Sequence, residues 1–298
     1  MSLRAEIVRL ALRRMIKART RSGITVAQGR QILAGAERWV PRPPTGVRVR
    51  AVNAGGVPGE EVTAPASRPD RRILYLHGGA YCAGSPRLYR DLSWRLAQAA
   101  EAVLLAPDYR LAPEHPFPAA LDDAVAAYDG LLAEGGDPRR IALAGDSAGG
   151  GLVFALLLRL RDSGRPLPAA AVALSPWTDL ALGGASLQLN ARRDPMLDPR
   201  HLPPVVEWYL AGADPREPTA SPVYGDCTGL PPALIQVGED EILRDDAVRM
   251  TEQMHAGGAV ATLEIWPRMP HVWHTFAPVL PEARRAVARI GAFLRPLL

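Results

Sequence analysis

From residue 72 onward the chain alternates short apolar runs with longer stretches of helical periodicity, and this alternation leaves few folds open. Runs rich in Val, Ile, Leu and Ala recur near 72–78, 102–108, 141–146, 170–176, 233–238 and 260–266. Helical patterns fall between and after them, near 87–100, 117–134, 148–162, 242–256 and 281–295. Strands this apolar must be covered on both faces, so the pattern predicts an α/β fold: a mostly parallel sheet flanked by helices. Two earlier runs, near 47–54 and 60–66, complete a predicted eight-stranded sheet as an antiparallel edge.

Two stretches fall outside the alternation. Residues 1–45 precede the sheet, and residues 183–225 form a long Pro-rich insertion with a helical stretch at 204–211. Long loops inside a compact domain are commonly functional. The two stretches are expected to form a small helical cap over the carboxyl ends of the strands, where open α/β sheets bind ligands. The predicted division is 1–45, N-terminal part of the cap; 46–182, first part of the core; 183–225, cap insertion; and 226–298, second part of the core. Met196, Leu197, Trp208, Tyr209 and Leu210 are candidates for pocket walls, or for simple packing of the cap on the body.

Charge and cysteine content narrow the function. Residues 1–21 carry seven of the positive charges against Glu6, whereas the remainder is slightly acidic with its signs interspersed, so no nucleic-acid-binding stripe is present. The N-terminal segment places Leu3, Ile7, Leu10 and Ala11 on one face of an amphipathic helix, expected to pack on the body or to touch a membrane surface. No apolar stretch reaches the length of a membrane span, and the segment lacks the unbroken apolar core of a signal peptide. Cys82 and Cys227 fit no metal spacing and no disulfide framework, so a reducing cytoplasm is the expected location.

Gly145-Asp146-Ser147-Ala148-Gly149 stands between the strand pattern IALAG and the helical run AGGGLVFALLLRL. Small residues around a serine at a strand–turn–helix junction permit the sharp bend of a nucleophile elbow, whose hydroxyl is exposed at the tip. The alternative, an N-capping serine, would use the same helix start. Negative charge developing on an attacked carbonyl would meet the free N–H of Ala148. His77-Gly78-Gly79-Ala80-Tyr81 follows the strand ILYLH, and Gly78 and Gly79 are the predicted further donors. His77 itself is expected to be structural.

A serine hydroxyl needs a base of matched pKa, which makes histidine the natural partner. His271, and after it His274, lie just past the last predicted strand, within reach of the elbow. The carboxylate that orients such a base is sought in VGEDEILRDD, where Glu239, Asp240, Glu241, Asp245 and Asp246 compete and spacing does not choose among them.

The ordered motifs HGGAYCAGS, DYRLAPEHPFPAALDD, GDSAGGGL, SPWTDL, GLPPALIQVGEDEILRDDA and PHVWH span roughly residues 73–275. Through them the chain resembles the hormone-sensitive-lipase-like (bacterial family IV) esterases of the α/β-hydrolase fold. The resemblance implies Ser147 as nucleophile, His271 as base, Glu241 as acid with Asp240 as the alternative, and Gly78, Gly79 and Ala148 as oxyanion donors. It also implies that Asp108, Tyr109, Arg110 and Glu114 brace the site, and that Asp146 and Asp179 support it. Ala80 stands where many members carry a third glycine, which is expected to narrow the alcohol pocket rather than abolish acyl transfer. Members of the group commonly dimerise.

The expected activity is hydrolysis of short- to medium-chain carboxylic esters of small molecules through an acyl-enzyme, with no metal or cofactor. Lactone, acetamide or carbamate hydrolysis by the same triad, a ligand-binding module without turnover, and a membrane-surface lipase using the basic N-terminal helix are the competing readings.

Overall fold

The computed structural model describes residues 2–18 and 23–298. Arg19 and Arg21 of the basic N-terminal run lie outside the described residues. Helices α1 (Leu3–Leu12) and α2 (Val26–Glu37) precede the sheet. Strands β1 (Arg48–Ala54), β2 (Val57–Thr63) and β3 (Arg68–Leu76) follow, then α3 (Arg90–Ala100), β4 (Ala102–Pro107), α4 (Ala119–Ala133), β5 (Ile141–Asp146) and α5 (Ala148–Asp162). The remainder comprises β6 (Ala170–Leu174), α6 (Ser186–Leu189), α7 (Leu202–Leu210), β7 (Ala233–Gly238), α8 (Arg244–Ala256), β8 (Ala261–Trp266) and α9 (Pro281–Leu294).

The eight strands form one sheet in the order β1-β2-β4-β3-β5-β6-β7-β8. The β1–β2 and β2–β4 pairs are antiparallel, and every pair from β3–β4 to β7–β8 is parallel. Successive side chains of a strand point to opposite faces, which makes two hydrophobic cores from one sheet. On one face Ile73, Tyr75, Leu104 and Val172 meet Leu92 and Leu96 of α3 and Ile290 and Leu294 of α9. On the other, Leu74, Leu76, Leu143 and Ile235 meet Leu121 of α4, Leu152 and Leu156 of α5, and Met250 of α8. Each such side chain contributes about 1.5–3 kcal/mol by leaving water, so these faces hold the sheet rigid beneath the loops at its carboxyl edge.

Two strands start earlier than their apolar runs suggest: β2 at Val57 and β3 at Arg68. Arg68 pairs in register with Ala102 across a bulge, so backbone pairing carries β3 through a polar stretch that no apolar pattern marks. The insertion at 183–225 contains α6, α7 and short helical turns at 199–201 and 222–224.

Helix α1 reverses the expected orientation of its apolar stripe. Leu3, Ile7 and Leu10 are 78%, 60% and 50% exposed, while Ala5, Arg9 and Leu12 face the body. Polar contacts explain the reversal: the Ser2 N–H and hydroxyl donate to Glu282 at the start of α9 (2.6 and 2.9 Å), and Arg9 is drawn inward by acceptors described below. No described helix is long and apolar enough to cross a membrane.

Candidate active site

Strand β5 ends at Asp146 and helix α5 begins at Ala148, so Ser147 occupies the single residue of the turn, at φ 53° and ψ −121°. A non-glycine residue there is strained. It is held by the Ser147 N–H donating to Leu174 O and the Ser147 carbonyl accepting from the Trp177 and Gly151 N–H groups. The bend requires α5 to start hard against the sheet. A Cβ on Gly149 would stand 2.0 Å from the Leu76 carbonyl oxygen, so only glycine fits.

His271 lies in the loop after β8. Ser147 Oγ is 2.9 Å from His271 Nε2, and His271 Nδ1 donates to Glu241 Oε2 at 2.7 Å. The carboxylate at Nδ1 fixes the tautomer and leaves the Nε2 lone pair toward the hydroxyl. Burial works against the His271 imidazolium, but the bond and charge of Glu241 outweigh it, so the pKa is raised above the ordinary value. This is an arrangement in which an imidazole can take a hydroxyl proton and hold the resulting charge.

Glu241 is fully buried in the turn after β7. Its Oε1 accepts from the Gly238 N–H (2.6 Å) and from Ser175 Oγ (2.7 Å). Ser175 Oγ in turn accepts from the Val272 N–H at 3.1 Å, tying the Glu241 turn to the His271 loop. Two residues of the insertion reach the same turn. Asp194 accepts from the Ile242 N–H (2.9 Å), and Asn190 Nδ2 donates to the carbonyls of Glu239 (3.0 Å) and Glu241 (2.9 Å). Sequence reasoning singled out none of Ser175, Asp194 and Asn190. Ser175 opens the SPWTDL motif, which was the one available signal.

The other four carboxylates of the turn are sorted by their partners. Asp240 pairs with Arg9 at 2.7 Å, whereas His271 bonds to Glu241. Glu239 is exposed, Asp245 accepts from the Ser186 N–H, and Asp246 accepts from the Thr178 and Asp179 N–H groups. His274 is buried beside Gln236 Oε1 (2.8 Å), where burial lowers its pKa to about 3 and keeps it neutral. His77 is likewise buried and lowered to about 4, stacked on Tyr109 with its Nδ1 donating to Gly78 O.

The Gly78 donor role requires correction. Its N–H donates to Asp146 Oδ1 at 2.9 Å, alongside the Tyr75 hydroxyl at 2.6 Å, so it is committed to the elbow and unavailable to a ligand. The next two N–H groups, those of Gly79 and Ala80, together with that of Ala148, have no acceptor among the described residues. Gly79, Ala80 and Tyr81 run through positive φ (129°, 56° and 60°), which turns successive amides the same way. Ala80 is therefore a candidate donor in its own right.

Around this centre, the Tyr109 hydroxyl donates to His77 O, Arg110 pairs with Asp123 (2.7 Å), and Glu114 pairs with Arg30 of α2. Asp108 is exposed, with its N–H on Pro58 O. Asp179 is buried against Arg249 and Tyr224. In the insertion Tyr209 is buried and stacked on Tyr81 with ring centroids 3.8 Å apart, and Leu210 is buried with it, so these two join insertion to body. Met196, Leu197 and Trp208 are half-buried. No group of three His, Cys, Asp or Glu among the described residues is placed to hold a metal ion.

Comparison with known proteins gives the family. A family described as having the alpha/beta hydrolase fold matches residues 73–275. An acetyl-hydrolase of Streptomyces hygroscopicus is 54% identical over 252 residues, covering 82% of this chain and 84% of that protein. An esterase of Acinetobacter venetianus is 36% identical over 282 residues, covering 94% and 92%. A solved esterase of the bacterial hormone-sensitive lipase family superposes with a TM-score of 0.95 at 46% identity, covering 100% of this chain and 99% of that one. The fold and these matches define an α/β hydrolase. The chain belongs to the hormone-sensitive-lipase-like esterases of that family, and it is a carboxylic-ester hydrolase.

Proposed function

We propose that Ser147 is the nucleophile, His271 the general base and acid, Glu241 the orienting carboxylate, and that the N–H groups of Gly79, Ala80 and Ala148 form the oxyanion hole. The observation that carries this reading is the unbroken chain from Ser147 Oγ through His271 to Glu241, at 2.9 and 2.7 Å. His271 Nε2 takes the hydroxyl proton as Oγ bonds to the ester carbonyl carbon. The oxyanion so formed is met by the three amides, and Glu241 stabilises the imidazolium. Collapse expels the alkoxide, which leaves with the proton from Nε2, and an acyl-Ser147 ester remains. A water deprotonated by the same nitrogen attacks that ester; collapse releases the acid and expels Ser147 Oγ, which takes back the proton from Nε2.

The N-terminal helices and the 183–225 insertion act as a cap that bounds the acyl pocket and favours short- to medium-chain acyl groups. The stack of Tyr209 on Tyr81 and the acetyl-hydrolase name of the Streptomyces relative support this. Mass spectrometry after phosphonate treatment is expected to show one adduct, on Ser147. Ser147→Ala is expected to lower kcat by about 10³-fold or more with the fold intact. Retained turnover in that variant, or an adduct elsewhere accompanied by loss of activity, would remove the reading. A nitrophenyl-ester series is expected to show its optimum below about ten carbons.

A further inference from the structure

Arg9 is the charged residue that α1 turns inward, and its side chain is 6% exposed. Its Nη2 donates to Asp240 Oδ2 at 2.7 Å and to Arg193 O at 3.4 Å, and its Nη1 donates to Arg268 O at 2.7 Å. These acceptors belong to three different segments. Asp240 immediately precedes Glu241. Arg268 lies three residues before His271 and stands at φ 57°. Arg193 immediately precedes Asp194, whose carboxylate accepts the Ile242 N–H. One guanidinium thus joins the acid-bearing turn, the base-bearing loop and the insertion that props the acid.

Chemistry favours arginine for this task. A guanidinium keeps its charge and offers five donors in a rigid planar fork, so it can fix several acceptors at set angles, whereas an ammonium is a point donor on a flexible stem. Burying such a group is costly unless its partners are in place, and here an aspartate and backbone carbonyls converge on it. Hydrophobic packing alone would have turned Leu3, Ile7 and Leu10 inward instead.

We propose that Arg9 is a positioning residue for ester hydrolysis: it clamps the Glu241 turn to the His271 loop, so that the imidazole keeps its register with Ser147. The proposal rests on the triad reading given above. Misplacement of reacting groups by about 1 Å can cost on the order of 10²-fold in rate, so loosening this clamp acts on turnover more than on substrate binding.

The test uses the full-length chain with Arg9→Met and Arg9→Lys, assayed well below the melting temperature of each variant. The readouts are kcat and KM for a nitrophenyl ester and the second-order rate of Ser147 labelling by a small phosphonate. Arg9→Met is expected to lower kcat about tenfold with KM within about twofold, and to slow labelling in parallel. Arg9→Lys, which keeps the charge but not the fork, is expected to fall between wild type and Arg9→Met. A lower melting temperature with unchanged kcat and labelling rate would make Arg9 a mere anchor and overturn the proposal, as would a change confined to KM. If Arg9→Met does not fold, Arg9→Lys decides: wild-type rates in it overturn the proposal. Activity surviving in Ser147→Ala would overturn the triad reading itself, whatever Arg9 does.

Discussion

At the scale of single residues, the site turns on which proton sits where. In the proposed mechanism His271 must be neutral to accept the Ser147 proton, and its pKa is raised above the ordinary imidazole value of 6.5, with burial opposing and Glu241 producing the rise. Activity is therefore lost as pH falls through that raised value. The acidic limb of kcat/KM is expected to have its midpoint above 6.5, and a midpoint below it would contradict the Glu241–His271 coupling. Gly78 makes a steric prediction. A Cβ there would lie 2.2 Å from Asp146 Oδ2, so Gly78→Ala must displace the buried carboxylate that ties this loop to the elbow, or the loop itself. Ester turnover in that variant is expected to drop about 10²-fold or more, with a lower melting temperature, as kinetics and calorimetry would show. Ser147 and His271 stand out in the sequence, because a serine between small residues at a strand–helix junction and a histidine after the last strand have few rivals. The acid was ambiguous, since five carboxylates crowd residues 239–246 and only the folded turn decides which faces the imidazole. The loop donors proposed from the structure lie one residue beyond those expected, because the Asp146 acceptor of the Gly78 amide comes from 68 positions away.

Elements show where periodicity carries information and where it does not. Apolar runs mark β5 and β7 at their observed bounds, because every residue of both strands is buried and each carries a single polar side chain, Asp146 or Gln236. Periodicity in α1 identifies an apolar stripe but not its direction, and partners up to 280 residues away set that direction. Replacing Leu3, Ile7 and Leu10 by Ser is expected to change unfolding free energy by under about 0.5 kcal/mol each, measured by urea titration; losses typical of core positions would show the stripe to be buried. Helix α8 offers a pH-dependent element. Asp246 at its first turn accepts from the Thr178 and Asp179 N–H groups, and burial raises its pKa from the ordinary 3.8 to about 8. Between those values the folded chain holds a proton that the unfolded chain has released, so stability falls as pH rises through that window. Relative to Asp246→Asn, which cannot titrate, the wild type is expected to lose stability between about pH 5 and pH 8, and parallel curves would argue against a buried protonated carboxyl.

Over the whole molecule, the sheet supplies a fixed edge, and in the proposed reading the segments outside the alternation close over it. Tyr209 of α7 is the point where the insertion meets the donor loop, stacked on Tyr81 at 3.8 Å. Tyr209→Ala is expected to cost about 3–5 kcal/mol of stability and to raise KM more than it lowers kcat, checked by denaturant titration and steady-state kinetics. The order of these parts along the chain has a biosynthetic consequence. Ser147 precedes His271 by 124 positions, and Ser2 finds Glu282 only when α9 exists. During synthesis the elbow emerges from the ribosome long before its base does. On the proposed mechanism the nascent chain therefore stays chemically silent after the elbow is made, and ester-cleaving power waits on a histidine translated 124 codons later.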